Sequence, residues 1–118
     1  MKHCHYFFLV LSFLILSCQS PWDKELLYGA WKTQEWKVVE TNEPINIKMD
    51  FTFNDDGTYK IDYGSEIEEG KFWFFADFLH TVEKGQAEKK VKIIQLAKDT
   101  FIFEMNRGGS IEKVLLVK

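Results

Sequence analysis

The residues of this 118-residue chain whose types could do chemistry are few: three histidines, two cysteines, some scattered serines and some closely spaced carboxylates. A zinc site needs several imidazole or thiolate ligands converging on one point. Beyond residue 17 the chain has only His80 and Cys18, so no such set can be assembled within it. His80 alone reads as a residue of a strand surface or barrel rim rather than a general base. Ser65 and Ser110 lack the setting of an activated nucleophile. Gly108-Gly109-Ser110-Ile111-Glu112 misses the second glycine of Gly-x-Ser-x-Gly and precedes a strand. Glu66, Glu68 and Glu69 form the densest acidic group, but on a strand Glu68 and Glu69 face opposite sides. Without a bulge they cannot act as paired acid and base on a glycoside. Asp55 and Asp56 are accounted for by turn geometry before calcium is invoked, and there is no glycine-rich phosphate loop. The sequence points away from catalysis and implies no metal and no cofactor.

The elements that would position any site follow a two-residue period. Ile47, Met49, Phe51 and Phe53 alternate with Lys48, Asp50 and Thr52; Asn54-Asp55-Asp56-Gly57 turns the chain; Tyr59, Ile61 and Tyr63 alternate with Lys60 and Asp62. That pattern is a β-hairpin. Further breaks at Thr41 to Pro44, Gly64-Ser65, Ala76-Asp77, Lys84 to Ala87, Ala97 to Asp99 and Asn106 to Gly109 predict eight strands. They run over 31–40, 47–53, 58–63, 66–75, 78–83, 91–96, 100–105 and 111–118. Pro21 to Leu27 is expected to make a short helical stretch with Ser20 as its N-cap. Short connections favour sequential antiparallel pairing, and a half-buried sheet of this many strands removes its edges most simply by closing. The expected fold is therefore an all-β, eight-stranded antiparallel up-and-down barrel, with a two-sheet sandwich as the rival. Two places break the alternation. Trp31 and Trp36 are five apart and cannot share a face of a regular strand, and Phe72-Trp73-Phe74-Phe75 is apolar on both sides. Either a bulge re-aims a ring or aromatic surface is exposed.

The N-terminus has the form of an export signal. Lys2 is followed by an apolar run from Tyr6 to Leu16, interrupted by Ser12 and too short to span a bilayer. Leu14-Ile15-Leu16-Ser17-Cys18 resembles the lipobox of bacterial lipoproteins. The resemblance implies cleavage before Cys18 and acylation of its thiol. The expected organisation is a signal peptide over 1–17, then Cys18, linker and short helix over 18–28, then a barrel domain over 29–118. Cleavage would discard Cys4 and leave no free thiol in an oxidising compartment. Two or more acyl chains anchor a protein stably, and Gln19 after the cysteine resembles outer-membrane sorting. The expectation is an outer-membrane anchor facing the periplasm.

Gly29-Ala30-Trp31, a Gly-x-Trp opening the first strand, resembles lipocalins. Phe53 to Tyr59, Glu69-Gly70-Lys71-Phe72 and Gln95 to Phe103 are similar to the short lipocalin-like domains of lipid-anchored bacterial proteins. The resemblance covers about Leu26 to Lys118 and implies a lipocalin or calycin-like barrel. It further implies that Trp31 closes one end beneath a cation. Arg107 falls in the last hairpin, away from that place, and Lys118 is the available substitute. Such a barrel either fills itself with side chains or holds one small ligand, and the sequence leaves both open. If a ligand site exists, it is expected at Trp31, Met49, Phe51, Tyr59, Ile61, Phe72, Phe74, Ile93, Phe101 and Phe103.

Removing Lys2 with the leader leaves 14 basic against 18 acidic side chains, a formal charge of −4, and no basic stripe for a phosphate backbone. Nucleic acid is not an expected partner. The basic cluster of Lys84, Lys89, Lys90 and Lys92, with Glu83 and Glu88 among it, reads first as a solvated edge and second as an anionic-lipid patch. Two functional readings result. One is a non-catalytic, lipid-anchored binding module for a small apolar ligand. The other is a solid barrel that docks on an envelope protein through exposed Trp22, Trp36 or Trp73.

Overall fold

The computed structural model describes residues 20–118; the expected leader, Cys18 and Gln19 lie outside the described residues. Eight strands follow one 3-10 turn at Lys24–Leu26: β1 Gly29–Val38, β2 Asp50–Phe53, β3 Thr58–Asp62, β4 Ile67–Phe75, β5 Phe78–Glu83, β6 Lys89–Leu96, β7 Thr100–Arg107 and β8 Ser110–Val117. Each pairs antiparallel with its neighbour in sequence, and β8 returns to β1. The sheet is a closed up-and-down barrel, not a sandwich. Closure leaves no strand with a free edge, so every ladder is satisfied within the ring. Among the described residues no helix is long and apolar enough to cross a membrane.

The two Trp residues of β1 are both buried because β1 carries a bulge. Thr33 pairs with Leu116 and Glu35 with Leu115, so β1 spends one residue more than β8 at Gln34. The extra residue resets the alternation, and Trp31 and Trp36 both turn inward. A second bulge lies in β6, where Ile93 pairs with Phe103 and Gln95 with Ile102. It brings Ile93 and Leu96, three apart, to the same inner face.

Three expectations need correction. The N-terminal helical stretch is shorter than 21–27, because Asp23 and not Ser20 caps it: the Asp23 carboxylate accepts from the Glu25 amide at 3.0 Å. Ser20 instead donates its hydroxyl to the Ala76 carbonyl at 2.7 Å. The second strand starts at Asp50 rather than Ile47. The chain before it is tied to β1 irregularly, through Thr33 Oγ1 to the Met49 main chain and through Ile45 N–H to the Trp36 carbonyl. The last hairpin is tighter than 106–109, with β7 and β8 joined across Gly108-Gly109 alone.

One end of the barrel is plugged. The 3-10 turn crosses it and buries Leu27 against Trp31, Phe101 and Leu116, all fully buried. Trp31 donates its indole N–H to the Leu27 carbonyl at 2.7 Å and meets Phe101 edge to face at 6.1 Å. Lys118, from the chain terminus, sets its ammonium 4.8 Å over the Trp31 ring and donates to the Tyr28 carbonyl at 2.7 Å. Gly29 makes this approach possible: its φ of +121° suits glycine, and a Cβ there would sit 3.2 Å from Lys118 Cε.

Candidate functional site

Above the plug the interior opens into a cavity of about 490 Å³. Its floor is Phe53 and Phe101, which pack on Phe72 and Trp31 beneath. Its walls are Met49, Phe51, Ile61, Leu79, Val91 and Phe103. Met49 precedes β2; each of the other wall residues stands on the inward parity of its strand, and each ring or branched chain gains more from leaving water than it would on the outer face. The mouth lies at the end opposite the plug and is bordered by Trp36, Ile47, Tyr63, Glu68, Lys89 and Arg107.

The polar groups of the mouth form two separate knots. In the first, Glu68 on β4 accepts from the Tyr59 hydroxyl at 2.5 Å and from the Tyr63 hydroxyl at 3.0 Å, with Lys89 Nζ at 3.9 Å. Burial, reinforced by the Glu68 carboxylate, raises both phenols well above their ordinary value. They stay protonated donors at any physiological pH. Gly70 lets Tyr59 lie this way, since a side chain at Gly70 would collide with the Val82 carbonyl and come within 2.9 Å of the Tyr59 ring. In the second knot, buried Glu112 accepts from the Trp36 indole at 2.8 Å and from Arg107 at 3.3 Å, and the Arg107 guanidinium lies 5.9 Å from the Trp36 ring centre. Each acid is thus engaged by donors of its own knot. The arrangement gives a greasy chamber with fixed hydrogen-bonding groups at its lip, which suits holding a molecule rather than transforming one. Among the described residues no three His, Cys, Asp or Glu side chains converge to hold a metal.

Of the ten interior positions expected from the sequence, the cavity brings together Met49, Phe51, Tyr59, Ile61, Phe101 and Phe103. The other four lie outside its lining. Trp31 belongs to the plug, Phe72 packs below the floor, Ile93 is core, and Phe74 is half-buried beside Trp22 and Tyr28. Sequence reasoning missed Leu79, Thr81 and Val91, although β5 and β6 alternate strongly enough to flag them. It also missed the rim residues Tyr63, Glu68, Lys89 and Arg107. Glu68 was recognisable as facing away from Glu69, yet nothing local says that its side is the inner one. Of the three Trp proposed as exposed anchors, Trp36 is buried and Trp22 half-buried; Trp73 is 40% exposed.

No known family model matches the chain, and no curated protein matches it as a relative.

Proposed function

We propose that the protein is a lipid-anchored lipoprotein of the cell envelope, attached through Cys18, whose lipocalin-like barrel binds a small, mainly apolar ligand without catalysis. The observation that carries the binding role is the cavity: about 490 Å³, apolar in its walls and closed at the plugged end. That volume lies within the range of pockets that enclose small molecules. The Tyr63, Glu68 and Arg107 groups at the lip favour a ligand whose apolar body fills the chamber and whose hydrogen-bonding end remains at the mouth. The Trp31 and Lys118 pair supports the lipocalin resemblance, because a cation over the Gly-x-Trp ring is what that resemblance implies.

The interaction-module alternative is weaker on two counts: the interior is not solid, and only Trp73 among its proposed anchors is exposed. The anchor reading places the protein at the outer membrane, facing the periplasm. Native mass spectrometry of the protein extracted from membranes tests ligand carriage: a mass increment of a few hundred daltons, lost on mild unfolding, is expected. A bare mass under all gentle conditions, together with no uptake of an added apolar compound, would remove the carrier role. Cys18→Ala should release the chain from the membrane fraction independently of that outcome.

A further inference from the structure

Opposite the mouth, the outer face of the barrel carries an aromatic and cationic patch that the cavity does not use. Trp73 and Phe75 point outward from β4, 40% and 56% exposed. Across the ladder stand His80 and Phe78 of β5, with the Trp73 and His80 rings stacked at 5.4 Å. On β6, Lys90 pairs with His80 and Lys92 with Phe78, and the Lys90 ammonium lies 4.6 Å over the Phe78 ring. Among the described residues neither lysine forms an ion pair within 4.0 Å; of the acids near them, Glu88 is engaged by His80 at 3.2 Å, Glu104 stands across the ladder from Lys92 at the β7 side of the patch, and Asp77 sits in the turn at its edge.

The N-terminal segment reaches the barrel at this same place. Ser20 is hydrogen-bonded to the Ala76 carbonyl, between Phe75 and Phe78 in sequence. Cys18 precedes Ser20 by two residues, a length of chain that spans at most about 7 Å. An acyl anchor on Cys18 therefore tethers the patch, and not the mouth, to the bilayer. Trp and Phe side chains beside lysines suit the headgroup layer, where rings enter the apolar boundary and ammonium groups meet anionic phosphates. A chain of net negative charge that gathers free lysines around exposed rings is complementary at that one face to an anionic surface.

We infer that the outer face of β4 to β6, around Trp73, Phe75, Phe78, Lys90 and Lys92, seats on anionic phospholipid beside the anchor and holds the cavity mouth away from the membrane. This rests on the lipid-anchor reading above. From Phe75 to Glu68 the strand rises roughly 23 Å, so ligand would enter and leave on the side of the aqueous compartment or of a partner within it.

The test uses the full-length protein purified from membranes and mixed with vesicles of phosphatidylethanolamine and phosphatidylglycerol bearing brominated acyl chains. Intact mass first reports whether Cys18 is acylated; an unmodified cysteine removes the anchor, while contact of the patch is still read from quenching. Trp31 and Trp36 are shielded inside the barrel and half-buried Trp22 is common to both proteins, so quenching is expected to fall in Trp73→Phe by the share that Trp73 carries. It should also fall in Phe75→Ser, an exposed position that leaves the core untouched. Replacing Lys90 and Lys92 by Gln, or phosphatidylglycerol by phosphatidylcholine, should reduce it further. Equal quenching in wild type and Trp73→Phe overturns the contact and returns this face to a protein partner.

Discussion

The two ends of the barrel are built from the same parts and behave differently. At each, a Trp of β1 turns inward, hydrogen-bonds through its indole and lies near a cation: Trp31 with Lys118 at 4.8 Å, Trp36 with Arg107 at 5.9 Å. The bulge at Gln34 is what allows one strand to serve both. At the closed end the acceptor is the Leu27 carbonyl, and the segment that supplies it also fills the space with Leu27 itself. At the open end the acceptor is Glu112, a side chain that brings no plug with it. A packed end and a hollow end thus differ by a few residues of chain laid across the opening, not by the composition of the walls.

Substitutions can break or sharpen this contrast. The largest effect is expected from Trp31→Ala, which removes a fully buried ring from the plug and should destabilise the protein by about 3–5 kcal/mol. Trp36→Ala, at the edge of an existing cavity, should cost clearly less, as read by denaturant titration of the two variants. Next, a large residue should separate the ends. Leu116→Trp overfills packed space and should cost about 1–3 kcal/mol, whereas Leu79→Trp has the cavity to enter and should leave the midpoint nearly unchanged. Equal losses would mean that the chamber collapses in solution. Smaller still, Lys118→Met should cost about 0.5–2 kcal/mol through the lost cation–π contact and carbonyl bonds. Arg107→Met leaves buried Glu112 with the Trp36 indole as its remaining donor and should cost a comparable amount, about 1–2 kcal/mol.

The weakest effect concerns pH. The raised phenols of Tyr59 and Tyr63 hold their protons in the fold after they would be lost in the unfolded chain, whose ordinary value is 10.0. Their contribution is complete below that value and is lost as pH climbs through the folded values, so stability should fall on the alkaline side. Glu68→Gln removes the carboxylate beside both hydroxyls and should move their absorbance titration toward lower pH. An unchanged titration would deny that Glu68 holds them.

Strand number, order and closure were legible because alternation and turn chemistry act locally. The hairpin around Asn54 to Gly57 is written in consecutive residues, and β5 has the expected bounds. The spacing of Trp31 and Trp36 left a bulge and an exposed ring as alternatives, and the register shift at Gln34 decides for the bulge. The cavity was less legible, since its lining depends on which inward residues meet the plug and which meet nothing. Phe72 and Phe53 are alike in the sequence, yet one lies below the floor and the other forms it. The rim knots join residues from β1, β3, β4, β6, β7 and β8, and no local pattern encodes such meetings. The N-terminal turn was misjudged because Ser20 and Asp23 both suit a cap, and only the tertiary bond to Ala76 decides between them.

The most direct test of a chamber above a plug is a fluorescence titration of the wild-type protein and of Leu79→Trp with an apolar dye that brightens out of water. The expected result is saturable binding at one site per wild-type chain and its loss in a folded Leu79→Trp protein, with Trp73→Phe binding as wild type does. Dye uptake that survives Leu79→Trp and disappears with Trp73→Phe would place binding on the outer surface and contradict an interior site.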